Sequence, residues 1–370
     1  MAPFFTSDAL VLGLLVVVLA LIFWTSSLDH PGWKKFYTYV PSLLLCCFIP
    51  AFLNWPLGLI APHWYESGVL ELALQYGAQI DASMSYDAIT EALKSAGVPA
   101  AEYKALQGHS QLYYISSRFL LPASLVLLCL GIDFQGVLNL GPKALIMFFA
   151  ATVGIILGGP IALLLISYVS PDVIPVSADE LWRGLSTVAG SWIGGGANQT
   201  AMKEIFDVSD NLFGTMIVVD VVVANIWMGF LLYGANISDR LDEKLKADNS
   251  AIEDLKRRVS EYSAKVARIP NTTDVFIMLG VAFGSVALAH WGRDVITPWM
   301  SQFRETLEAM RLNSLMSGFF WLIVISTTIG LALSFTRARS LEGVGATRWG
   351  SIFIYVLVAT IGRKMNIGEV

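Results

Sequence analysis

Long stretches without a charged side chain decide what this chain can fold into. Four of them contain no Asp, Glu, Lys or Arg: Ala9–Trp24, Phe36–Ala61, Ala144–Val169 and Leu315–Phe335. Each can be extended to about the 20 residues that a bilayer-spanning helix needs. Charged residues make up only 14% of the chain, whereas roughly 25% is usual in soluble proteins. The sequence therefore predicts an all-α, polytopic integral membrane protein with the lipid bilayer as its surroundings.

Five weaker apolar stretches raise the prediction to about nine membrane segments. They are Phe119–Leu138, Gly184–Met202, Leu212–Tyr233, Val275–Trp291 and Trp349–Gly362. Two polar regions interrupt them. The first is an acidic insert over residues 62–112, in which residues 85–97 predict a short helix. The second is a charged amphipathic linker over residues 236–272. We therefore divide the chain into a first transmembrane repeat (1–235), the linker, and a second repeat (273–370).

Basic residues near the apolar segments predict the orientation of the chain. Lys34 and Lys35 follow the first segment, which places the N-terminus outside and the acidic insert outside as well. Arg337, Arg339 and Arg348 are expected inside, and so is the linker with its eight bases. The linker reaches the inside only if Gly184–Met202 enters the bilayer and returns, or if one crossing elsewhere is miscounted.

Residues 190–201 read GSWIGGGANQTA and combine the least helical with the most polar residues of any apolar segment. Glycine is about 1 kcal/mol worse than alanine in a helix, so Gly194, Gly195 and Gly196 predict a break. Non-helical backbone at membrane depth survives only inside protein or beside a wet cavity. We therefore expect two half-helices, the second beginning near Ala197 with its N–H groups aimed at an anion. Close helix packing through small residues is the alternative.

Polar side chains that follow the expected break are the candidate solute and ion ligands, beside the glycines themselves. Asn198, Gln199 and Thr200 follow the glycines directly, and Asp220 lies near the middle of the next segment. A carboxylate at that depth marks an ion or proton path by default, although a structural carboxylate bonded to neighbouring backbone is the alternative. Asn225 is a further candidate, but its position round the helix favours a bond to a different helix.

Other classes of function find less support in the sequence. No His-Glu-x-x-His and no Gly-x-Ser-x-Gly motif occurs, and no histidine lies at the centre of a predicted segment, so an enzyme is not expected. No basic cluster points to nucleic acid, and no histidine has metal-ligand spacing to a cysteine or carboxylate. No cofactor is expected beyond a coupling ion, Na⁺ or H⁺. A cation/proton antiporter, a channel and a non-transporting membrane scaffold stay open as alternatives, and so does a homo-oligomer.

At residues 190–198 (GSWIGGGAN) and 219–227 (VDVVVANIW) the chain resembles the YjcL-like family of multi-spanning membrane proteins, defined by domain of unknown function 819. The resemblance implies a place in the broad group of cation/proton antiporters and anion transporters. It implies a fold of two inverted repeats, each with a broken helix that crosses near the bilayer centre. Gly194–Thr200 match the first of these broken helices, and Asp220 lies on the helix that follows.

The second repeat is expected to be incomplete. When Gly362 is laid on Gly131, residues 349–370 correspond to the third segment of the first repeat, and the chain ends before a second broken helix. A partner subunit that supplies the remainder is the alternative. Together these features predict a secondary transporter in the inner membrane of a bacterium, which moves a small anionic solute with a cation or proton.

Overall fold

A computed structural model of the chain describes residues 2–81, 84, 86–132, 142–170, 177–236, 244, 257, 260–261, 264, 266–310 and 312–365. Within these residues the all-α prediction is confirmed, since the only strands are two of three residues each. The helices of the first half are α1 (Asp8–Ser27), α2 (Pro31–Tyr39), α3 (Ser42–Asn54), α4 (Val69–Gln75), α5 (Tyr86–Ser95), α6 (Ala100–Ala105), α7 (Leu112–Leu130) and α8 (Pro142–Val169).

The remaining helices begin with two that are separated by a single residue. They are α9 (Ala178–Gly194), α10 (Gly196–Ile205), α11 (Asp210–Asn236), α12 (Thr272–Ser301), α13 (Arg304–Ala309), α14 (Gly318–Ser334) and α15 (Ala346–Gly362). Two 3₁₀ helices, Asn313–Met316 and Arg337–Val344, flank α14. Most of the predicted linker lies outside the described residues, and so do the last five residues.

Helix length and composition make this a multi-pass membrane protein. Four helices among the described residues are long and apolar enough to cross a bilayer, and the number rises to six if each of two bent helix pairs is one span. No residue in the most apolar part of α8, within Leu145–Val169, is buried against the described chain. This is expected for a helix surrounded by lipid. Each of the nine predicted segments contains or overlaps a helix. Nine crossings and two inverted repeats stay predictions.

The predicted segment Phe36–Ala61 is divided between two helices. α2 ends at Tyr39, and α3 begins only after Pro41, which occupies the N-cap position. Proline has no N–H group and disfavours helical geometry in the residue before it, so a new helix starts at this point. An uncharged stretch predicts burial in lipid, but it does not predict a single straight helix.

The chain is divided into two compact units. The first comprises Met1–Ser116 and Tyr355–Val370 and contains the acidic insert. There β1 (His63–Tyr65) and β2 (Gln107–His109) pair antiparallel, with His63 opposite His109. The helix predicted over residues 85–97 is confirmed as α5, which buries Ile89 and Leu93 against Tyr65.

The second unit, Ser117–Ile354, contains the broken segment. Its core includes Leu127 of α7, Met278 of α12 and Leu341 of the second 3₁₀ helix. α14 packs closely on α7 at Gly330. A Cβ atom at this position would lie only 2.9 Å from the Cα atom of Val126, so the close approach requires glycine. α10 packs against α7 and α14 in turn, so this core supports the candidate site.

Candidate functional site

The predicted helix break is present at the three glycines. α9 ends at Gly194, and α10 begins at Gly196. Gly195 between them has φ 79° and ψ −176°, a region of backbone conformation that is essentially restricted to glycine. The second half-helix thus begins one residue before the predicted position, Ala197.

The two half-helices fold back on each other as a hairpin, called the α9–α10 hairpin below. Near the tip, the side-chain amide of Asn198 donates to the carbonyl of Gly190 over 2.9 Å. One turn further down, a Cβ atom on Gly190 would lie 2.7 Å from Cγ of Met202. At the open end, Nη1 of Arg183 donates to the carbonyl of Phe206 over 2.5 Å. From the tip to the open end the residue numbers fall from 190 to 183 along α9 and rise from 198 to 206 along the second limb, so the half-helices are antiparallel.

A segment that folds back removes the conflict in the predicted orientation. If residues 184–202 enter the bilayer and return, they add no crossing, and α11 then carries the chain from outside to inside. On that prediction the linker over residues 236–272 would lie inside together with Arg337 and Arg348, as the charge rule requires. The hairpin and the distribution of charge therefore agree.

Asp220 of α11 is held by the last turn of α9. Its Oδ2 atom accepts a hydrogen bond from the Ser191 hydroxyl over 2.7 Å, and Oδ1 accepts one from Nε1 of Trp192 over 2.6 Å. The carboxylate is half-buried, whereas Trp192 is 37% exposed. Both donors are side chains, so a structural carboxylate stays an alternative, with side chains rather than backbone as its partners. Asp220 instead meets the hairpin just before its break.

The beginning of α10 leaves polar groups for a ligand. No side chain caps its first turn, where the N–H groups have no partners within the helix. Gln199 is 2% exposed, and its Nε2 atom has no hydrogen-bond partner among the described residues. Thr200 is 1% exposed and donates its hydroxyl to the carbonyl of Gly196 over 2.8 Å. Gly194 and Gly195 are exposed, so the tip is open while the amide below it is buried.

A buried cluster of charges at the other end of α10 was not predicted. Nζ of Lys203 lies 2.9 Å from Oδ1 of Asp210 and 3.4 Å from Oε1 of Glu204. Nη1 of Arg118 lies 3.3 Å from Oε2 of Glu204, and its guanidinium lies 4.3 Å from the centroid of the Phe319 ring. Two cations and two carboxylates balance each other, which is the condition for burying them. They join the second limb of the hairpin to α7 and to the start of α11.

The open end of α9 carries a smaller charged contact outside the predicted segment. Ser177 caps the helix by accepting from the N–H of Glu180 over 3.3 Å. The pKa of Asp179 is lowered, first by the hydrogen bond from Nε1 of Trp182 and then by the one from Nε of Arg183. This carboxylate is 68% exposed, so its interactions are screened by water.

The structure places most predicted ligands around the hairpin tip. Gly194–Gly196, Asn198, Gln199 and Thr200 belong to the hairpin itself, and Asp220 bonds to it. Asn225 lies on α11, but its side chain is outside the described part of the structure. Among the described residues, no group of three His, Cys, Asp or Glu side chains could hold a metal ion.

Residues 101–370 match the model of a family whose description is "Protein of unknown function (DUF819)". No curated protein and no solved structure matches the chain. The matched region is more than two thirds of the chain and contains the hairpin and α11, so the chain belongs to the DUF819 family. The resemblance drawn from the two motifs is thereby confirmed. Membership of the wider antiporter and anion transporter group stays a prediction.

Proposed function

We propose that this DUF819 protein is a secondary transporter in the inner membrane of a bacterium. It moves a small anionic organic solute across the bilayer without chemical conversion, coupled to Na⁺ or to a proton. The observation that carries the proposal is the buried side-chain amide of Gln199, whose Nε2 atom has no partner among the described residues. A buried unsatisfied donor costs about 1–3 kcal/mol, and a solute that accepts from it would recover that free energy.

The start of α10 supplies the preference for an anion. Its first-turn N–H groups lack a side-chain cap, and a helix N-terminus carries about half a positive charge. The open tip at Gly195 gives a carboxylate access to these groups without a side chain in the way, since no atom lies within 4 Å of the position its Cβ would take. Asn198 and Thr200 already have partners in the hairpin and would position the solute chiefly through the shape of the tip.

Asp220 supplies the coupling. The indole N–H of Trp192 can only donate, whereas the Ser191 hydroxyl can both donate and accept. A proton on Oδ1, or a cation bound there, makes this oxygen a weaker acceptor for the indole N–H of Trp192. Ser191 can turn its lone pairs towards a cation at Oδ2. Occupation of Asp220 therefore loosens the last turn of α9 and changes the tip at which the solute binds.

Uptake by reconstituted protein tests this proposal. The purified full chain is placed in proteoliposomes, and radiolabelled monocarboxylates and dicarboxylates are offered with an inward Na⁺ gradient, an inward proton gradient, or neither. The proposal expects at least one carboxylate to accumulate above its external concentration with a gradient and only to equilibrate without one. Equilibration at the same rate in all three conditions would indicate a channel. A chemically altered product would indicate an enzyme.

A further inference from the structure

A cavity of about 370 Å³ lies in the second unit, and none of the described residues that line it belongs to the α9–α10 hairpin. One wall comes from residues 266–270, directly before α12, and the other from residues 342–348, at the start of α15. The N–H of Arg268 donates to the carbonyl of Gly343 over 3.2 Å. Gly345 has φ +95° and turns the chain into α15. The cavity is thus bounded by backbone that is held in place.

Arginine side chains dominate the charge of this cavity. Arg268 lines it and pairs with Asp274, with Nη2 2.7 Å from Oδ1, yet its side chain is 44% exposed. Arg348 also lines it, is exposed, and has no hydrogen bond or ion pair to the described residues. An arginine that faces a cavity without a carboxylate partner is available to an anion from outside the chain.

Among the described residues that line the cavity, Glu342 is the only carboxylate, and it is already engaged. Oε2 of Glu342 accepts from the N–H of Thr347 over 3.2 Å and from its hydroxyl over 2.7 Å. Glu342 thereby satisfies the first turn of α15. Over residues 266–274 and 337–348 together, the sequence holds two acids against four bases, which are Arg268, Arg337, Arg339 and Arg348. Of these residues Arg268, Arg348 and Glu342 line the cavity, so its described wall carries two positive charges against one negative charge.

The cavity lies where apolar helices end. α12 begins at Thr272, α14 ends at Ser334, and α15 begins at Ala346. Ends of apolar helices are expected at the depth of the lipid headgroups, and the charge rule predicts the inner face for this end. Basic pockets at the ends of membrane helices on that face are suited to anionic headgroups. A cavity between helix ends, rather than within the helix bundle, is also suited to a ligand that stays in the membrane.

We propose that this cavity binds the phosphate of an anionic phospholipid headgroup through Arg348 and Arg268. A guanidinium can donate two parallel hydrogen bonds to one phosphate, while the acyl chains of the lipid would follow the apolar surfaces of α12 and α14. This site is independent of the proposed transport function.

Native mass spectrometry of the full chain, released from nanodiscs with phosphatidylglycerol and phosphatidylcholine, tests the site. The wild-type protein should retain phosphatidylglycerol in preference to phosphatidylcholine. Arg348→Gln should weaken phosphatidylglycerol retention by about five-fold, since one arginine near the surface contributes about 1 kcal/mol. Arg304→Gln is the matched control. Arg304 is also exposed, but it lies on α13, away from the residues that line the cavity, and pairs there with Glu308 at 3.7 Å. This control should behave as the wild type.

Other results would overturn the assignment. Equal retention of the two lipids by the wild type would do so, and so would an unchanged preference in Arg348→Gln. A third arm adds inorganic phosphate to delipidated protein in detergent. If phosphate binds as tightly as phosphatidylglycerol and is lost in Arg348→Gln, the site takes free phosphate rather than lipid.

Discussion

Trp192 and Asp220 are joined by a hydrogen bond of 2.6 Å, in which the indole Nε1 donates to Oδ1. Trp192 lies three residues before Gly195, the residue at which the helix breaks. The bond therefore connects a carboxylate on α11 to the tip of the α9–α10 hairpin. Because the indole can only donate, neutralising Asp220 weakens the connection, and this is the proposed link between the coupling ion and the solute.

The backbone conformation of Gly195 should be necessary for the hairpin. Gly195→Ala introduces a Cβ atom that meets no other atom within 4 Å, so any effect comes from backbone strain. A non-glycine residue in this conformation costs about 1–3 kcal/mol. We expect a lower thermal unfolding midpoint in detergent and slower solute uptake.

Gly154→Ala is the control for this substitution. Gly154 lies within α8, and an added Cβ atom would likewise meet no other atom within 4 Å. Unlike Gly195, however, Gly154 has a helical backbone conformation that alanine adopts without strain. Its replacement should leave both measurements unchanged or raise the midpoint slightly. Equal effects of the two substitutions would show that the conformation at Gly195 does not matter.

The buried charge cluster should stabilise the hairpin only while it is complete. Lys203→Met leaves Asp210 without the cation at 2.9 Å. Loss of one member of a fully buried pair costs about 3–5 kcal/mol, and the cost here should be lower because the Asp210 side chain is 20% exposed. We expect a large fall in the unfolding midpoint. The exposed Lys104→Met should have little effect.

A double variant distinguishes pairing from general disruption. Lys203→Met combined with Asp210→Asn removes one charge of each sign and leaves Arg118 with Glu204. It should be more stable than the sum of the two single variants predicts, by about 0.5–3 kcal/mol. Strict additivity would contradict the contact between Lys203 and Asp210.

The sequence predicted the helices and the break better than it predicted their arrangement. Uncharged stretches show where helices are buried in lipid, and Gly194–Gly196 show where a helix cannot continue. Glycines do not show in which direction the chain leaves the break, because that depends on contacts such as Asn198 with Gly190. Lys203 was missed because the predicted segment ended at Met202, directly before a charge whose partners are distant in sequence. Ser191 and Trp192 were not predicted as partners of Asp220, because they are 29 and 28 residues away in sequence.

Arg363 presents the opposite case of a buried cation without a hydrogen-bonded carboxylate in the described part of the chain. It is 1% exposed, and its three guanidinium nitrogens have no hydrogen-bond partner among the described residues. The Coulombic attraction of Asp8 offsets only part of the several kcal/mol that a buried ion costs, so Arg363→Met should raise the free energy of unfolding by about 1 kcal/mol. Thermal unfolding in detergent measures this. Lys364→Met, which removes a cation 3.9 Å from the Tyr113 ring centroid, should instead lower stability by about 0.5–1 kcal/mol. A fall for Arg363→Met as well would mean that the guanidinium has an acceptor in the native protein.

The start of α9 should become less stable in acid. The hydrogen bonds from Trp182 and then Arg183 lower the pKa of Asp179 in the folded protein. The contribution of these bonds is therefore complete above the unfolded pKa, about 3.9, and is lost as the pH falls through the lower folded value. Asp179→Asn should reduce the dependence of the unfolding midpoint on pH below about pH 4. Because the carboxylate is exposed, the change should be small; an identical acid dependence in both proteins would contradict the shift.

Ion-driven uptake by Asp220→Asn is the most direct measurement of the transport mechanism. In proteoliposomes with and without an inward Na⁺ or proton gradient, the wild type should accumulate a carboxylate only with the gradient. Asp220→Asn should fold, because its amide oxygen can still accept from Trp192 or Ser191, but uptake should no longer respond to the gradient. Asp207→Asn is the control, since Asp207 is exposed and its φ of 51° suits asparagine equally well. Gradient-driven accumulation that is undiminished in Asp220→Asn would contradict the assignment of this carboxylate to the coupling ion.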